Sequence, residues 1–312
     1  MRILTDLSQV KPEPSCLTIG YFDGVHSGHR YLINQALVTA REGGLRIVLL
    51  TFHPHPSVVL RGAEPFYLST REEKLALLAQ MDLDLIIIQP FTPGLAQTRG
   101  RQFIDRLIER VGMVSLWIGS DFSLGYRREG DIPFLQRMSA ERGFALNVVE
   151  HKFDVSSSLI RHALRQGDVA LAAHHLGRSY CLQGPVVIGA QRGRTIGFPT
   201  ANVEVAAERA IPANGVYAAW ARLHPPQGMP QGTASEERHR AVVNIGTRPT
   251  FDNGLRTIEA HLLDFDRDIY GQRLTLDFVA RLRPEQRFDD IEALVAQIHR
   301  DVKQARQLLR VA

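Results

Sequence analysis

The sequence contains little cysteine, no long apolar run and no block of like charge. Its 312 residues include only two cysteines, Cys16 and Cys181, both in expected strands and expected to be buried, so a reducing compartment is indicated. No apolar run approaches the roughly 20 residues of a membrane-spanning helix. The opening Met1-Arg-Ile-Leu-Thr-Asp lacks the apolar core of a secretory signal peptide. We therefore expect a cytoplasmic protein without a membrane partner.

The charge is modest and scattered along the chain. Lys and Arg number 37 against 33 Asp and Glu, a formal net charge of +4, and there are 12 histidines. Without a dense basic block, nucleic acid is not an expected partner, whereas anionic small molecules are. A chain of this length favours two domains over one, and its oligomeric state is left open.

Hydrophobic periodicity alternates between strand-like and helix-like in the first half. Strand-like runs occupy residues 16–19, 45–52, 83–88, 115–118 and 144–149. Helix-like patterns occupy residues 31–42, 70–80, 100–111 and 132–142. About five strands separated by helices predict a doubly wound, Rossmann-like parallel sheet, which binds ligands beyond the carboxyl ends of its strands.

The pattern changes after two short helical segments at residues 159–165 and 169–176. Strand-like segments then occupy residues 180–189, 216–223, 241–245, 257–263 and 274–282. Strands without helical crossovers predict a small antiparallel barrel, and an apolar helical pattern near the C-terminus predicts a helix packed on it. We place the domains at 1–178 and 179–312. Residues 224–239, rich in Pro, Gly and polar side chains, are typical of a long flexible loop.

Gly20-Tyr-Phe-Asp-Gly-Val-His-Ser-Gly-His29 joins the first strand to a helix. The positive end of a helix dipole attracts anions, and glycines let the backbone approach a ligand closely. His26 and His29 are three residues apart, so one helical turn can place both rings over the phosphates of a nucleotide. A surface pair or half a metal site is the alternative, but no zinc-type partners are nearby. The motif is not a P-loop, because no Gly-Lys-Ser/Thr follows.

This stretch resembles the (T/H)xGH signature of nucleotidyltransferases. More closely, it resembles the G-x-F-D-G-x-H-x-G-H form of bacterial bifunctional riboflavin kinase/FAD synthetases. Three later stretches are similar to the same family: Thr51-Phe-His-Pro-His-Pro56, Gly119-Ser-Asp-Phe-Ser-Leu-Gly125 and Val155-Ser-Ser-Ser-Leu-Ile-Arg161. The sequence departs from the family pattern at Tyr21, where Asn is frequent, and at Ser123-Leu124, where Arg-Phe is frequent.

The second half carries its own motifs. Gly189-Ala-Gln-Arg-Gly-Arg-Thr-Ile-Gly-Phe-Pro-Thr-Ala-Asn202 has the glycines and arginines that can wrap phosphates. Thr200 and Asn202 offer oxygens of the kind that Mg²⁺ takes. This string resembles riboflavin kinases closely, as do Val243-Asn-Ile-Gly-Thr-Arg-Pro-Thr-Phe251 and Ile258-Glu-Ala-His-Leu-Leu-Asp264. Glu259 aligns with the family's catalytic carboxylate; a strand Glu on an exposed face is the alternative.

The resemblance implies two reactions, each with its own residues. Adenylyl transfer from ATP to FMN is assigned to the catalytic residues His26, His29 and Arg161, with ATP or phosphate binding by Gly20, Phe22, Asp23, Gly24, Gly28, Phe52, His55, Gly119, Asp121, Ser157 and Ser158. Phosphoryl transfer from ATP to riboflavin is assigned to the catalytic residue Glu259, with ATP or flavin binding by Gly189, Gly193, Arg194, Gly197, Pro199 and Asn244, and Mg²⁺ binding by Thr200 and Asn202. Lys74 is expected at the surface.

The function expected from these residues is FAD synthesis from riboflavin, with ATP as co-substrate, Mg²⁺ as cofactor and FMN as the intermediate. One alternative is a nucleotidyltransferase with another acceptor, such as pantetheine phosphate or nicotinate mononucleotide, which leaves the kinase-like half unexplained. A second is a flavin-sensing or RNA-binding barrel fused to an inactive transferase. The presence of His26, His29 and Glu259 favours an enzyme.

Overall fold

The computed structural model of the chain describes residues 1–150, 154–189, 191–224, 237–247 and 256–310. The chain divides into two compact units, Met1–Ser157 and Ser158–Ala312. The domain division after residue 178 stays a prediction. Most of the expected loop at 224–239 and the end of the motif at 243–251 lie outside the described residues.

The first unit is built on a parallel sheet of six strands in the order β1-β4-β3-β2-β5-β6. These strands are β1 (Arg2–Leu4), β2 (Ser15–Ile19), β3 (Arg46–His53), β4 (Leu85–Pro90), β5 (Met113–Gly119) and β6 (Ala145–Val149). The predicted doubly wound sheet is confirmed. Strand order reverses at β2, with β3 on one side of it and β5 on the other, so the switch point lies where β2 and β5 end.

Helices cover both faces of this sheet. They are α1 (Ser27–Glu42), α2 (Pro56–Arg61), α3 (Arg71–Ala79), α4 (Pro93–Ala96), α5 (Gly100–Val111) and α6 (Ile132–Arg142). One core cluster takes apolar side chains from α1 and α3, and the other takes them from α5 and α6. A reciprocal capping box between Thr70 and Glu73 fixes the start of α3.

The second unit begins with two helices and continues as a closed antiparallel barrel in the order β10-β11-β8-β7-β12-β9. Its elements are α7 (Ser157–Gln166), α8 (Val169–Leu176), β7 (Tyr180–Val187), α9 (Arg192–Thr195), β8 (Ala201–Val203), β9 (Gly215–Leu223), β10 (Glu237–Thr247), β11 (Arg256–Leu262), β12 (Arg273–Arg283) and α10 (Ile291–Leu308). The barrel and the C-terminal helix are confirmed.

Helix α10 packs on the outside of the barrel, as expected. Ala305 of the helix joins a buried cluster with Val216 and Val242 of the barrel strands. The N–H at Nε of Arg283 is shared between the two carboxylate oxygens of Asp301, at 3.1 and 3.0 Å, and the two side chains are 14% and 4% exposed. The helix is therefore held by apolar packing and by one buried ion pair.

The two cysteines differ in their burial. Cys16 is buried as expected, but the expectation for Cys181 is wrong, because this residue is only partly buried. Within the described ranges, no helix is both long enough and apolar enough to cross a bilayer.

Candidate active sites

The turn after β2 is strained and leads directly into α1. Phe22, Gly24 and Val25 all have left-handed backbones, with φ of 54°, 72° and 40°. The chain then becomes extended at His26, which is the N-cap of α1. The turn lies at the switch point of the sheet, so it presents the positive end of α1 where ligands of such folds bind.

His26 and His29 stack on each other at the start of α1. Their ring centroids are 3.5 Å apart, with the planes inclined by 18°. The expectation that one helical turn brings these rings together is confirmed. Nδ1 of His26 accepts the backbone N–H of His29 at 3.3 Å, which leaves the proton of a neutral His26 ring on Nε2. Gly28 allows this packing, because a Cβ there would lie 3.1 Å from Val155 and 3.3 Å from the His26 ring.

The His29 ring is held in its neutral form. Burial lowers the pKa of His29 well below its usual value, and the nearby positive charges of His26 and Lys74 lower it further. His29 as a whole residue is partly exposed, but its Nδ1 atom is buried and has no hydrogen-bond partner among the described residues. A neutral ring whose nitrogen lacks a partner can form a hydrogen bond with a ligand without bringing a positive charge into the site.

Asp23 anchors the turn. Its buried carboxylate accepts the backbone N–H groups of Leu68, at 3.0 Å, and of Ser69, at 3.2 Å. The Ser69 hydroxyl in turn accepts the N–H of Gly24 at 3.1 Å, and the Ser157 hydroxyl donates to the Asp23 carbonyl at 3.1 Å. These contacts give Asp23 and Ser157 a role in shaping the turn, and their assignment to phosphate binding stays a prediction.

The prediction that Lys74 lies at the surface of this unit is wrong. The sequence suggested a surface lysine, but the residue is only 4% exposed. Its Nζ donates to the carbonyl of Tyr21 at 3.0 Å and to the hydroxyl of Thr51 at 3.1 Å. Helical spacing could have indicated this burial, because Lys74 lies four residues before the buried Leu78 and therefore on the inward face of α3.

The other residues assigned to adenylyl transfer are spread more widely. Phe52 packs against the core edge-on to Phe91, at 5.8 Å between ring centroids. His55 caps α2 by accepting the Ser57 N–H at 3.0 Å, and its ring meets the Tyr21 ring edge-on at 4.2 Å.

Gly119 is the last residue of β5, the strand that pairs with β2, and Asp121 follows it and is exposed. Ser158 and Arg161 lie on α7 in the second unit, where Ser158 is exposed and Arg161 partly buried. Their assigned roles stay predictions.

In the second unit, the barrel register places three polar residues in one row. Glu259 of β11 lies directly opposite Asn202 of β8 on one side and directly opposite Asn244 of β10 on the other. Directly opposed residues in antiparallel strands have side chains on the same face. All three are partly buried. A carboxylate flanked by two amides can orient a hydroxyl group and accept its proton.

Thr200 immediately precedes β8 and lies two residues before Asn202. The loop after β7 comes very close, since a Cβ on Gly189 would lie 2.2 Å from Nδ2 of Asn202. Only glycine permits that approach. A hydroxyl and an amide oxygen two residues apart, beside a glycine loop, form a donor set that fits Mg²⁺ together with nucleotide phosphates and water.

The segment around α9 folds tightly. The N–H of Phe198 donates to the carbonyl of Gly193 at 2.8 Å, and Gly197 takes a left-handed φ of 85°. Pro199 presents its carbonyl 2.8 Å from Nδ1 of His261 on β11. These contacts tie the segment that carries Arg194 to β11.

A cleft of about 230 Å³ opens beneath this segment. Its lining includes Arg194, Pro199 and Thr200 together with residues 265–270, among them Phe265 and Tyr270. Residues 265–270 belong to none of the motifs seen in the sequence. The only feature that could have pointed to them is their mixture of aromatic and charged side chains after β11.

Comparison with known proteins covers both units. A family model described as FAD synthetase matches residues 8–161, and one described as Riboflavin kinase matches residues 176–309. Proteins described as bifunctional riboflavin kinase/FMN adenylyltransferase are similar along nearly the whole chain. The protein from Listeria monocytogenes is 34% identical over 97% of this chain and 93% of its own length. The protein from Escherichia coli K12 is 36% identical over 98% and 96%.

A solved structure has the same fold throughout. The crystal structure of a protein from Streptococcus pneumoniae, described as a macrolide-efflux protein, gives a TM-score of 0.86 at 27% identity. The match covers 97% of this chain and 98% of that chain.

Proposed function

This chain belongs to the family of bifunctional riboflavin kinase/FMN adenylyltransferases, and we propose that each of its two units carries one of the two reactions. The second unit phosphorylates riboflavin to FMN, and the first transfers AMP to FMN to give FAD and pyrophosphate. ATP is the donor in both reactions. The chain is thus a transferase of flavin cofactor biosynthesis.

The stacked histidines at the start of α1 are the observation that carries the adenylyltransferase assignment. The FMN phosphate attacks the α-phosphorus of ATP, and pyrophosphate leaves, so the protein must hold phosphates and stabilise the charge that develops on them. The ring N–H groups of His26 and His29 donate hydrogen bonds to these phosphates from beside a positive helix end. Ser157, in the same unit, serves the same phosphates in this proposal.

The row of Asn202, Glu259 and Asn244 carries the kinase assignment. We place the riboflavin 5′-hydroxyl against the Glu259 carboxylate, which orients the hydroxyl and accepts its proton. ATP occupies the cleft under Arg194, and its phosphates approach Thr200 and Asn202. Mg²⁺ would be held there by these two side chains and would neutralise phosphate charge during transfer.

The proposal includes a cytoplasmic location, small-molecule partners alone, and the domain division at 1–178 and 179–312. Riboflavin, FMN and ATP are all polar or anionic, in keeping with the scattered positive charge of the chain.

The decisive experiment follows riboflavin through both steps. Purified protein is incubated with riboflavin, ATP and Mg²⁺, and the flavins are separated by chromatography. We expect FMN to appear first and FAD afterwards, with pyrophosphate released only in the second step. His29→Ala should let FMN accumulate, since one phosphate donor is worth roughly 100–1000-fold in rate. Failure of the parental protein to form either flavin would refute the proposed function.

A further inference from the structure

The ammonium group of Lys74 is buried beside the turn that carries the histidine pair, and both of its hydrogen-bond acceptors are uncharged oxygens. Besides Tyr21 O and Thr51 Oγ1, it faces the Tyr21 ring, with Nζ 4.3 Å from the ring centroid. Burying a cation against neutral acceptors is unfavourable compared with burying an apolar side chain of similar size. Packing alone therefore gives no reason for a lysine at this position.

The carbonyl that Lys74 holds belongs to the strained turn. Tyr21 immediately precedes the left-handed residues Phe22, Gly24 and Val25. Such a backbone persists only when its surroundings fix it. The Thr51 hydroxyl also donates to the Tyr21 carbonyl, at 2.9 Å, so this oxygen receives two donors at the point where the turn begins.

One short stretch of chain supports the turn at two points. The amides of Leu68 and Ser69 bind the Asp23 carboxylate, and Lys74 follows within the next helix. Residues 67–74 therefore hold the turn at its start, through Tyr21, and at its middle, through Asp23. The end of the turn is the His26 N-cap of α1.

Charged groups reach Lys74 from each neighbouring element. Asp23 faces it from the turn, His29 from α1 and Arg71 from its own helix, and the Tyr21 ring that it contacts packs edge-on against the His55 ring. Burial lowers the pKa of Lys74 to about 8; the charge of Asp23 opposes this shift and that of Arg71 adds to it. The group is thus still positively charged in neutral solution, close to the positive end of α1.

We propose that Lys74 is a positioning residue for adenylyl transfer: its ammonium fixes the Tyr21 carbonyl, and through it the turn and the His26–His29 pair that receive the ATP phosphates. This inference rests on the proposed adenylyltransferase function of the first unit. It predicts that the charge of Lys74 affects the rate of the chemical step more than the binding of FMN.

The test compares Lys74→Met, Lys74→Arg and Lys11→Met with the parental protein, all supplied with FMN, ATP and Mg²⁺. Methionine matches lysine in length but carries no charge, arginine keeps the charge, and Lys11 is an exposed lysine of the same unit. We expect Lys74→Met to lower kcat for FAD formation ~100-fold, the size of effect that follows a displaced reacting group. KM for FMN should stay near the parental value, Lys74→Arg should restore part of kcat, and Lys11→Met should change neither.

The dependence of kcat on pH provides a second test, because a purely structural role of Lys74 would not affect it. Parental kcat should fall as pH rises through about 8, where Lys74 loses its proton. Lys74→Arg should lack this decline, because a guanidinium keeps its charge at every accessible pH.

Three results would overturn the inference: parental kcat in Lys74→Met, an identical alkaline decline in Lys74→Arg, or a loss of activity that coincides with loss of the native Trp117 fluorescence. Absence of FAD formation by the parental protein would instead refute the proposed function. The two failures are therefore distinguishable.

Discussion

Replacing Lys74 by methionine should stabilise the first unit while impairing its chemistry. The lysine has a pKa of about 8 in the folded protein against an ordinary value of 10.5. Each tenfold loss of proton affinity corresponds to about 1.4 kcal/mol, so the buried charge costs about 3 kcal/mol at neutral pH. Methionine removes that cost, and the Tyr21 carbonyl keeps a donor in the Thr51 hydroxyl. We expect a net gain of ~1–3 kcal/mol in the free energy of unfolding, allowing for the lost hydrogen bonds.

The difference in stability between the parental protein and Lys74→Met should depend on pH in a defined direction. Between pH values of about 8 and 10.5, the unfolded chain retains a proton that the folded chain has lost. The contribution of Lys74 therefore makes the parental protein more stable as pH rises through that interval. Lys74→Met lacks this contribution. The difference between the two proteins should be largest at neutral pH and should shrink as the pH approaches 10.5.

Urea denaturation followed by Trp117 fluorescence measures the first unit by itself. Every protein compared would carry Trp220→Phe, because Trp220 lies in the barrel and would report the other unit. Lys11→Met, an exposed lysine to methionine change, is the matched control and should leave the midpoint unchanged. If Lys74→Met were no more stable than the parental protein at pH 7, the buried charge would not be costly and the reasoning would be wrong.

Three further changes test the second unit. Glu259→Gln should lower the rate of FMN formation ~100-fold, as expected for loss of a general base, while FMN supplied directly still becomes FAD at the parental rate. Gly189→Ala should also slow FMN formation, because its methyl group would lie 2.2 Å from Nδ2 of Asn202; kinase activity equal to the parental value would show that the loop can move away. Asp301→Asn should destabilise the barrel unit by ~3–5 kcal/mol, since it leaves the buried Arg283 without its partner; urea denaturation followed by the tryptophan of β9 measures this, and an unchanged midpoint would contradict it.

Most long elements of both units could be predicted from periodicity alone, and the missed ones are short. Apolar alternation cannot be recognised over three residues, which is why β1 (Arg2–Leu4) and β8 (Ala201–Val203) were not predicted. Strand β8 begins inside the motif that ends at Asn202, where the sequence suggested ligand binding rather than strand pairing. Its pairing with β11 is nonetheless what brings Asn202 beside Glu259.

Lys74 shows a different limit of sequence reasoning. Its spacing from Leu78 places it on the inward face of α3, but a long side chain on such a face can extend to solvent as readily as it can be buried. The outcome depends on Tyr21 and Thr51, which come from other parts of the chain and supply the acceptors. No pattern within one helix contains that information.

The two candidate sites are made by different physical means, and this explains why one was easier to anticipate. The histidine pair depends on a helix start, and spacing within one turn of α1 is enough to stack His26 on His29. The row of Asn202, Glu259 and Asn244 depends on the register of three strands that are far apart in sequence, which only the closed barrel determines. A shift of one residue in β11 would turn Glu259 to the opposite face. The contacts that fix this register, including the bond between Pro199 and His261, therefore govern the proposed kinase site as much as the motif residues do.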